Sequence, residues 1–276
     1  MKWAAHLTVY FYKIVHPFYK CIVTAAALST VLLAFSETAS NTQCRATVYL
    51  TLDTGNMSQA ELIAQVLKKH GVKATFFLAN EKTNRLTDGT DYSLSNAWSS
   101  YWQARVSEGH AFGSHTYDHV YFKGASSVDA LSAKPQFGAR AGQTLRLSNA
   151  QLCAELNRVG DRFKQLTGKS LDPIWRAPGG KAPDAVMKAA SSCGYQHVYW
   201  ASAGFLGDEL PSESHPNATL LRDALASIKD GDILMAHLGI WSRKVPWAPE
   251  VLEPLIEGLK AKGFCFATLR THPQYR

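Results

Sequence analysis

The feature that most constrains the fold is a regular alternation of short apolar runs with amphipathic segments from Ala46 onward. The run at 46–52 is rich in β-branched side chains, as expected for a buried strand, and the segment 57–71 has the apolar spacing of a helix. About seven strands separated by helices predict a parallel sheet. We therefore expect one α/β domain over 44–272, a single distorted (β/α) barrel with about seven parallel strands.

The segment 120–147 interrupts this alternation. It is rich in Ser, Gly, Lys and Arg and shows no clear periodicity. We expect a long loop over one end of the barrel, where binding residues tend to lie.

Residues 1–36 precede the predicted fold and have the pattern of a targeting segment. Three lysines and no acidic residue lie there, and the apolar run 21–35 is too short to span a bilayer comfortably. This pattern predicts a signal peptide and a periplasmic or secreted protein. An uncleaved N-terminal anchor, which would be the only membrane attachment, and a misassigned start codon are the alternatives.

Four of the five cysteines follow this segment, and an even number in an exported chain favours disulfides. Cys44 and Cys265 belong to the first and last strands, which become neighbours if a barrel closes. Cys153 and Cys193 lie on helices that flank one strand. We therefore favour the pairs 44–265 and 153–193, with four buried free thiols as the alternative.

The net charge of +7 does not indicate a nucleic-acid partner. It is mild, it is spread evenly along the chain, and it falls further when the three lysines of residues 1–36 are removed.

Polar side chains stand where several predicted strands end, and chemistry in such barrels gathers at the carboxyl ends of strands. Two histidines four apart, His115 and His119, suit a divalent metal such as zinc, although helix-start histidines bonded to carbonyls would show the same spacing. The residues at the strand ends are Asp53, Asn80, His115, Arg176, Trp200 and His237.

Four ordered motifs resemble those of the polysaccharide deacetylase family, the carbohydrate esterases (family 4) built on the NodB homology domain. They are 51–55 (Thr-Leu-Asp-Thr-Gly), 115–119 (His-Thr-Tyr-Asp-His), 176–180 (Arg-Ala-Pro-Gly-Gly) and 231–237, the strand that ends in His. The resemblance extends from Val48 to Leu269 and implies a NodB-like barrel.

The resemblance implies a metal-dependent hydrolase that removes N-acetyl groups from amino sugars. His115 and His119 would bind a divalent metal, zinc first with cobalt or manganese as alternatives. Asp53 would be the general base that deprotonates the attacking water.

The same resemblance implies three further catalytic roles. Arg176 would orient Asp53, the backbone N–H of Gly179 would help to stabilise the oxyanion, and His237 would protonate the departing amine.

The first motif departs from the family pattern at Thr54, where the third metal ligand is normally an Asp. A hydroxyl is a poor substitute for a carboxylate, so we expect weaker metal binding unless another group completes the shell. The candidates are Asp53 itself, a water molecule, Asn80 and Glu81.

A second departure is the missing acidic residue that tunes the catalytic histidine, since 200–208 has no acid at the usual place. Either Asp208 serves from a shifted loop or His237 is less strongly tuned. A third is Gly179, where the family often has an aromatic residue; its absence would widen the cleft.

Three aromatic residues follow strand ends near the predicted mouth, and we assign them to stacking on sugar faces, with packing at the rim as the alternative. They are Trp241, Trp247 and Phe205.

The leading hypothesis is deacetylation of an envelope or extracellular polysaccharide. The missing ligand at Thr54 motivates a rival, a catalytically silent barrel that binds glycans. A hydrolase of another non-peptide amide is the second rival. An open groove would favour a polymer, whereas a small closed pocket would favour that second rival.

Overall fold

A computed structural model describes residues 44–83, 91–127 and 130–276. The predicted leader at 1–36 lies outside the described residues. None of the described helices combines the length and apolar character needed to cross a bilayer.

The main sheet has seven parallel strands, which confirms the predicted α/β class and strand number. Most of these strands are short, and the central ones have buried residues on both faces, as expected for parallel strands covered by helices. The strands are β1 (Ala46–Asp53), β2 (Thr75–Leu78), β3 (Ala111–Ser114), β7 (Ile174–Trp175), β8 (Gln196–His197), β9 (Ile233–His237) and β10 (Phe264–Phe266).

The strand order is β10-β1-β2-β3-β7-β8, with β9 also paired to β1. β10 pairs with the first residues of β1, and β9 pairs with the following ones. The two strands lie on opposite sides of β1, because the successive carbonyls of Thr47 and Val48 accept from Gly231, just before β9, and from Ala267, just after β10. The chain after β8 runs beside β9, where the N–H of Ala201 donates to the carbonyl of Ile233 at 3.0 Å and Phe205 bridges to Met235. The sheet therefore curls until its two sides meet.

Six α-helices connect these strands in the described part of the chain, and their apolar faces form the main core against the sheet. α3 shows why its residues form a helix: Ser148 and Gln151 make a reciprocal capping box at its start, and Gly168 ends it with a φ of 75°. The helices are α1 (Ala60–Lys69), α2 (Ser99–Ser107), α3 (Asn149–Thr167), α4 (Asp184–Ser192), α5 (Asn217–Ser227) and α6 (Leu252–Ala261).

The expectation of a long loop at 120–147 is wrong. The segment forms a second, antiparallel sheet of β4 (Val120–Ser127), β5 (Ala130–Pro135) and β6 (Leu145–Leu147). Its buried face packs on α3 and α4 in a separate apolar cluster that includes Phe122 and Leu131. Small residues and two register shifts in β4 hide the alternation that a longer sheet would show.

Both favoured disulfides are present. Cys44–Cys265 joins the residues at the start of β1 and within β10, with their Cα atoms 5.6 Å apart. Cys153–Cys193 joins α3 to the end of α4, with a Cα separation of 5.8 Å. The first pair forms because β1 and β10 are direct neighbours in the sheet.

Candidate active site

The register of the sheet brings the predicted catalytic residues to one edge. Asp53 and His237 are Cα partners at the carboxyl ends of β1 and β9. His115 directly follows β3, and its N–H donates to the carbonyl of Leu78 at 2.7 Å. Arg176 follows β7, and its N–H donates to the carbonyl of Ser114 at 2.9 Å.

Asp53 is a buried carboxylate held by a buried arginine. Nη1 of Arg176 donates to Oδ1 of Asp53 at 2.8 Å, and both side chains are almost fully covered. Burial raises the pKa of Asp53, but the charge and hydrogen bond of Arg176 together with the nearby His115 and His237 outweigh that effect and hold the pKa below its ordinary value. Asp53 is therefore ionised at neutral pH, and its carboxylate is in direct contact with Arg176, the residue predicted to orient it.

His115 presents one ring nitrogen to this carboxylate. Its Nδ1 lies 2.9 Å from the carbonyl oxygen of Arg176, which fixes Nδ1 as the donor, and its Nε2 lies 3.6 Å from Oδ2 of Asp53. Burial lowers the pKa of His115 to about 4, so the ring is neutral and Nε2 has a free lone pair. A backbone carbonyl that fixes the tautomer is the usual support of a metal-binding histidine.

His119 packs beside His115, with the ring centroids 5.0 Å apart. The chain turns sharply between them, with positive φ values at Thr116 (61°) and His119 (48°). Nδ1 of His119 is buried and has no hydrogen-bond partner among the described residues.

His237 is paired with Asp208. Of the two alternatives for the missing acidic residue, this contact favours the one in which Asp208 takes its place from a shifted loop. The carboxylate of Asp208 accepts from the backbone N–H of His237 at 2.7 Å and lies 3.2 Å from its Nδ1. Burial lowers the pKa of His237, but the Asp208 charge and hydrogen bond outweigh it and raise the pKa to about 9. The imidazole is therefore protonated at neutral pH.

Glu81 lies beside Thr54, the residue at which the first motif differs from the family pattern. The hydroxyl of Thr54 donates to Oε1 of Glu81 at 2.6 Å, and the N–H of Gly55 donates to the same oxygen at 2.9 Å. Glu81 is 7% exposed and lines the same groove as Asp53 and His115.

Gly179 has a φ of 63°, in the left-handed region that favours glycine, and lines the groove. The missing aromatic residue does not leave its space open, because the ring of Tyr121 from β4 fills it. A Cβ at residue 179 would lie 2.8 Å from Cε1 of Tyr121. The expected widening of the cleft at this point is therefore wrong.

The groove has a volume of about 320 Å³ and is open to solvent. Trp241 stands on its rim with 57% of its surface exposed, so it is placed to stack on a ligand. Trp247 is 4% exposed and lines a smaller cavity behind His237, so it is not placed to stack on a sugar. Phe205 is half-buried beside β9 and is not among the residues that line the groove.

Sequence reasoning missed two residues that shape the site. Tyr121 was hidden within the supposed loop. His197 supports the third motif, because its Nε2 accepts from the N–H of Ala177 at 3.0 Å. The Val-Tyr-Phe run at 120–122 is the one local signal that could have placed Tyr121 in a strand.

The side chains of the groove fit a divalent metal in their chemistry. Neutral imidazoles next to carboxylates are the ligands that zinc prefers, and the unpartnered Nδ1 of His119 leaves a nitrogen available. The possible ligand atoms of these side chains lie farther apart than in a site whose ligands already surround an ion. Among the described residues, the one set of three whose ligand atoms lie within 4.8 Å of one another is elsewhere, at His70, Glu253 and Glu257. An ion shared in the groove therefore requires a side-chain rotation.

Comparison with known proteins defines the class first. The fold matches a family 4 acetyl xylan esterase from Clostridium thermocellum in complex with a cobalt ion (TM-score 0.60, 18% identity, covering 81% of this chain and 88% of that one). It also matches a CE4 family pseudoenzyme from Bacillus anthracis (TM-score 0.58, 20% identity, covering 82% and 65%). The fold is thus that of the family 4 carbohydrate esterases.

The sequence then identifies the family. The polysaccharide deacetylase profile matches residues 40–198, more than half of the chain, so the chain belongs to that family. Relatives include a chitooligosaccharide deacetylase of Azorhizobium caulinodans, 23% identical over 84% of this chain and 97% of that protein. A peptidoglycan-N-acetylglucosamine deacetylase of Bacillus cereus is also 23% identical, over 83% and 89%.

Proposed function

We propose that this chain is a metal-dependent hydrolase that removes N-acetyl groups from amino sugars of an envelope or extracellular polysaccharide. One observation carries the proposal: Asp53 and His237 are register partners whose environments push their pKa values in opposite directions. The carboxylate can accept a proton and the imidazolium can donate one at the same pH.

The reaction follows from these two groups. Asp53 accepts a proton from water as the water oxygen attacks the acetyl carbonyl carbon. The N–H of Gly179 stabilises the oxyanion that forms. His237, whose Nδ1 is engaged by Asp208, donates the proton of its other nitrogen to the amide nitrogen as the C–N bond breaks. The products are acetate and a free amino sugar.

His115 and His119 would hold the divalent metal together with a carboxylate of the groove. When bound, such an ion acts as a Lewis acid toward the carbonyl and the attacking water. Zinc suits the imidazole ligands best, with cobalt or manganese as alternatives. The carbonyl of Arg176 accepts from Nδ1 of His115 and so fixes the tautomer in which Nε2 is free to bind the metal.

The open groove supports a polymeric substrate. A sugar ring can stack on the exposed face of Trp241 while adjacent units extend into solvent. A hydrolase of another, smaller amide would be better served by a closed pocket. Two disulfides and the predicted leader support a periplasmic or secreted location.

The second candidate is a catalytically silent barrel that binds glycans. Thr54 favours it, because the family's usual carboxylate is missing, and the fold is shared with a pseudoenzyme. The position of Glu81 in the groove counts against it, because a carboxylate is present after all.

The test is acetate release from N-acetylated glycans, chitooligosaccharides and peptidoglycan fragments among them. The protein is stripped of metal and then given Zn²⁺, Co²⁺ or Mn²⁺. We expect metal-restored release that falls by at least about 100-fold in Asp53→Asn and in His115→Ala. Glu213→Gln, an exposed surface change, is the matched control. Glycan binding without release from any substrate or metal would favour the silent barrel.

A further inference from the structure

The first motif of this chain lacks a carboxylate at residue 54, yet a carboxylate from elsewhere is held against that residue. Glu81 follows β2, the strand next to β1 in the sheet. Its Oε1 accepts from the hydroxyl of Thr54 and from the N–H of Gly55, so it is tied to the loop after β1 by two hydrogen bonds.

Thr54 is used as a support and not as a ligand. Its hydroxyl has one proton, which it donates to Glu81, and its oxygen accepts from the N–H of Ala79 at 3.1 Å. Thr54 is fully buried, so these two contacts fix the hydroxyl between β1 and β2.

The backbone of Glu81 is fixed as well. Its N–H donates to Oγ of Ser93 at 2.9 Å, and its carbonyl accepts from the N–H of Ser93 at 2.8 Å. The side chain therefore emerges from an anchored position toward the groove.

The second carboxylate oxygen of Glu81 is unused. Within residues 44–83, 91–127 and 130–276, Oε2 accepts no hydrogen bond, and no Lys, Arg or His nitrogen lies within 4.0 Å of either oxygen. Oε2 is not among the buried unpartnered atoms of the described residues, so it is reached from the groove and is available to a cation. His115 and His119 line the same groove.

We propose that Glu81 is the third metal ligand of this site, in place of the carboxylate that residue 54 does not provide, and that the hydroxyl of Thr54 positions it. The inference rests on the proposed function in that both use the same ion. The cluster at His70, Glu253 and Glu257 is a poorer candidate, because Nζ of Lys69 already lies 2.7 Å from Glu253.

The test measures metal binding and not catalysis. Metal-free wild type, Glu81→Gln and Glu209→Gln are titrated with Zn²⁺ against a chromophoric chelator, and with Co²⁺ while its visible absorption is recorded. Glu209 is the matched control, since it is an exposed acid that lines the same groove. We expect Glu81→Gln to weaken Zn²⁺ binding by at least about 100-fold and to change the cobalt spectrum. Glu209→Gln should stay within about twofold of wild type.

Two further variants cover a failure of Glu81→Gln to fold. Thr54→Val removes the supporting hydroxyl and should weaken Zn²⁺ binding by about tenfold. Thr54→Asp combined with Glu81→Gln returns a carboxylate to the first motif and should recover most of the affinity. Unchanged affinity in both Glu81→Gln and Thr54→Val, or no binding by the folded wild type, would overturn the proposal.

Acetate release is measured separately on the same preparations. Glu81-dependent metal binding without acetate release would leave this inference standing and refute the proposed function. Acetate release that persists in Glu81→Gln, with unchanged metal affinity, would refute this inference and leave the proposed function standing.

Discussion

At the residue scale, Asp53 and His237 have pKa values shifted in opposite directions, because each side chain contacts a partner of opposite charge. Asp53 lies against the guanidinium of Arg176, and His237 lies against the carboxylate of Asp208. Both side chains are largely covered, so neither charge is diluted by solvent. The charge of each group follows from its neighbour.

Replacing Asp208 by Asn should therefore lower the pKa of His237 from about 9, because burial remains and the main charge that opposes it is lost, while the charges of Asp53 and Glu209 stay. The alkaline limb of the pH–activity profile should move to lower pH by the same shift. NMR titration of the ring protons of His237 measures the pKa directly. Glu213→Gln is the control, and a pKa that stays near 9 in Asp208→Asn would show that Asp208 is not the cause.

Removing one partner of the buried Asp53–Arg176 pair should be costly. Arg176→Met leaves an uncompensated buried carboxylate, which we expect to lower the free energy of unfolding by about 3–5 kcal/mol in urea titrations. Adding Asp53→Asn should recover part of that loss.

Arg158→Met is the matched control for this pair, because Arg158 is half-exposed and lies 3.5 Å from Asp118. We expect it to cost less than about 1 kcal/mol. An equal cost in Arg176→Met and Arg158→Met would contradict a special role for the buried pair.

At the scale of elements, the antiparallel sheet β4–β6 forms one wall of the groove. Its residue Tyr121 packs on Gly179 in the loop after β7, and its ring lies 5.3 Å from that of His119. This contact links the second sheet to two predicted site residues.

Gly179→Ala tests that contact. The positive φ and the close approach of Tyr121 should together cost about 1–2 kcal/mol of unfolding free energy. In a Tyr121→Ala background the same substitution should cost less, because only the φ penalty remains. Equal costs in the two backgrounds, measured by urea denaturation, would show that Tyr121 does not press on residue 179.

The elements also show where sequence patterns succeed. Segments with a clear apolar period, such as α1 and β1, are predicted to within about three residues of their ends, because the period follows from which side chains are buried within one element. The segment 120–147 is misread because Gly, Ser, Lys and Arg surround its few large inward residues, such as Phe122 and Leu131, and two register shifts interrupt the alternation in β4.

At the scale of the whole molecule, the two disulfides constrain chain segments of very different length. Cys44–Cys265 spans 221 residues and Cys153–Cys193 spans 40. The first joins the two ends of the fold and the second joins adjacent helices.

Loss of these bonds should destabilise the fold through the entropy of the unfolded chain. Replacing both cysteines of a pair by Ser should cost about 5 kcal/mol for 44–265 and about 4 kcal/mol for 153–193 on the chain-entropy scale. Urea denaturation of the two double variants, each beside the wild type under oxidising and reducing conditions, checks this order. A wild type whose unfolding is the same in both conditions would contradict the presence of the bonds.

By itself the sequence determined the parallel sheet, the strand ends that carry Asp53, His115, Arg176 and His237, and the two cysteine pairs. These depend on local periodicity and on the rule that parallel strands end at one edge. Only the tertiary structure decided which carboxylates support the site. Glu81 contacts Thr54, which is 27 residues away in the sequence, and Asp208 contacts His237, which is 29 residues away. Such contacts depend on loop paths and side-chain rotamers, which no local pattern encodes.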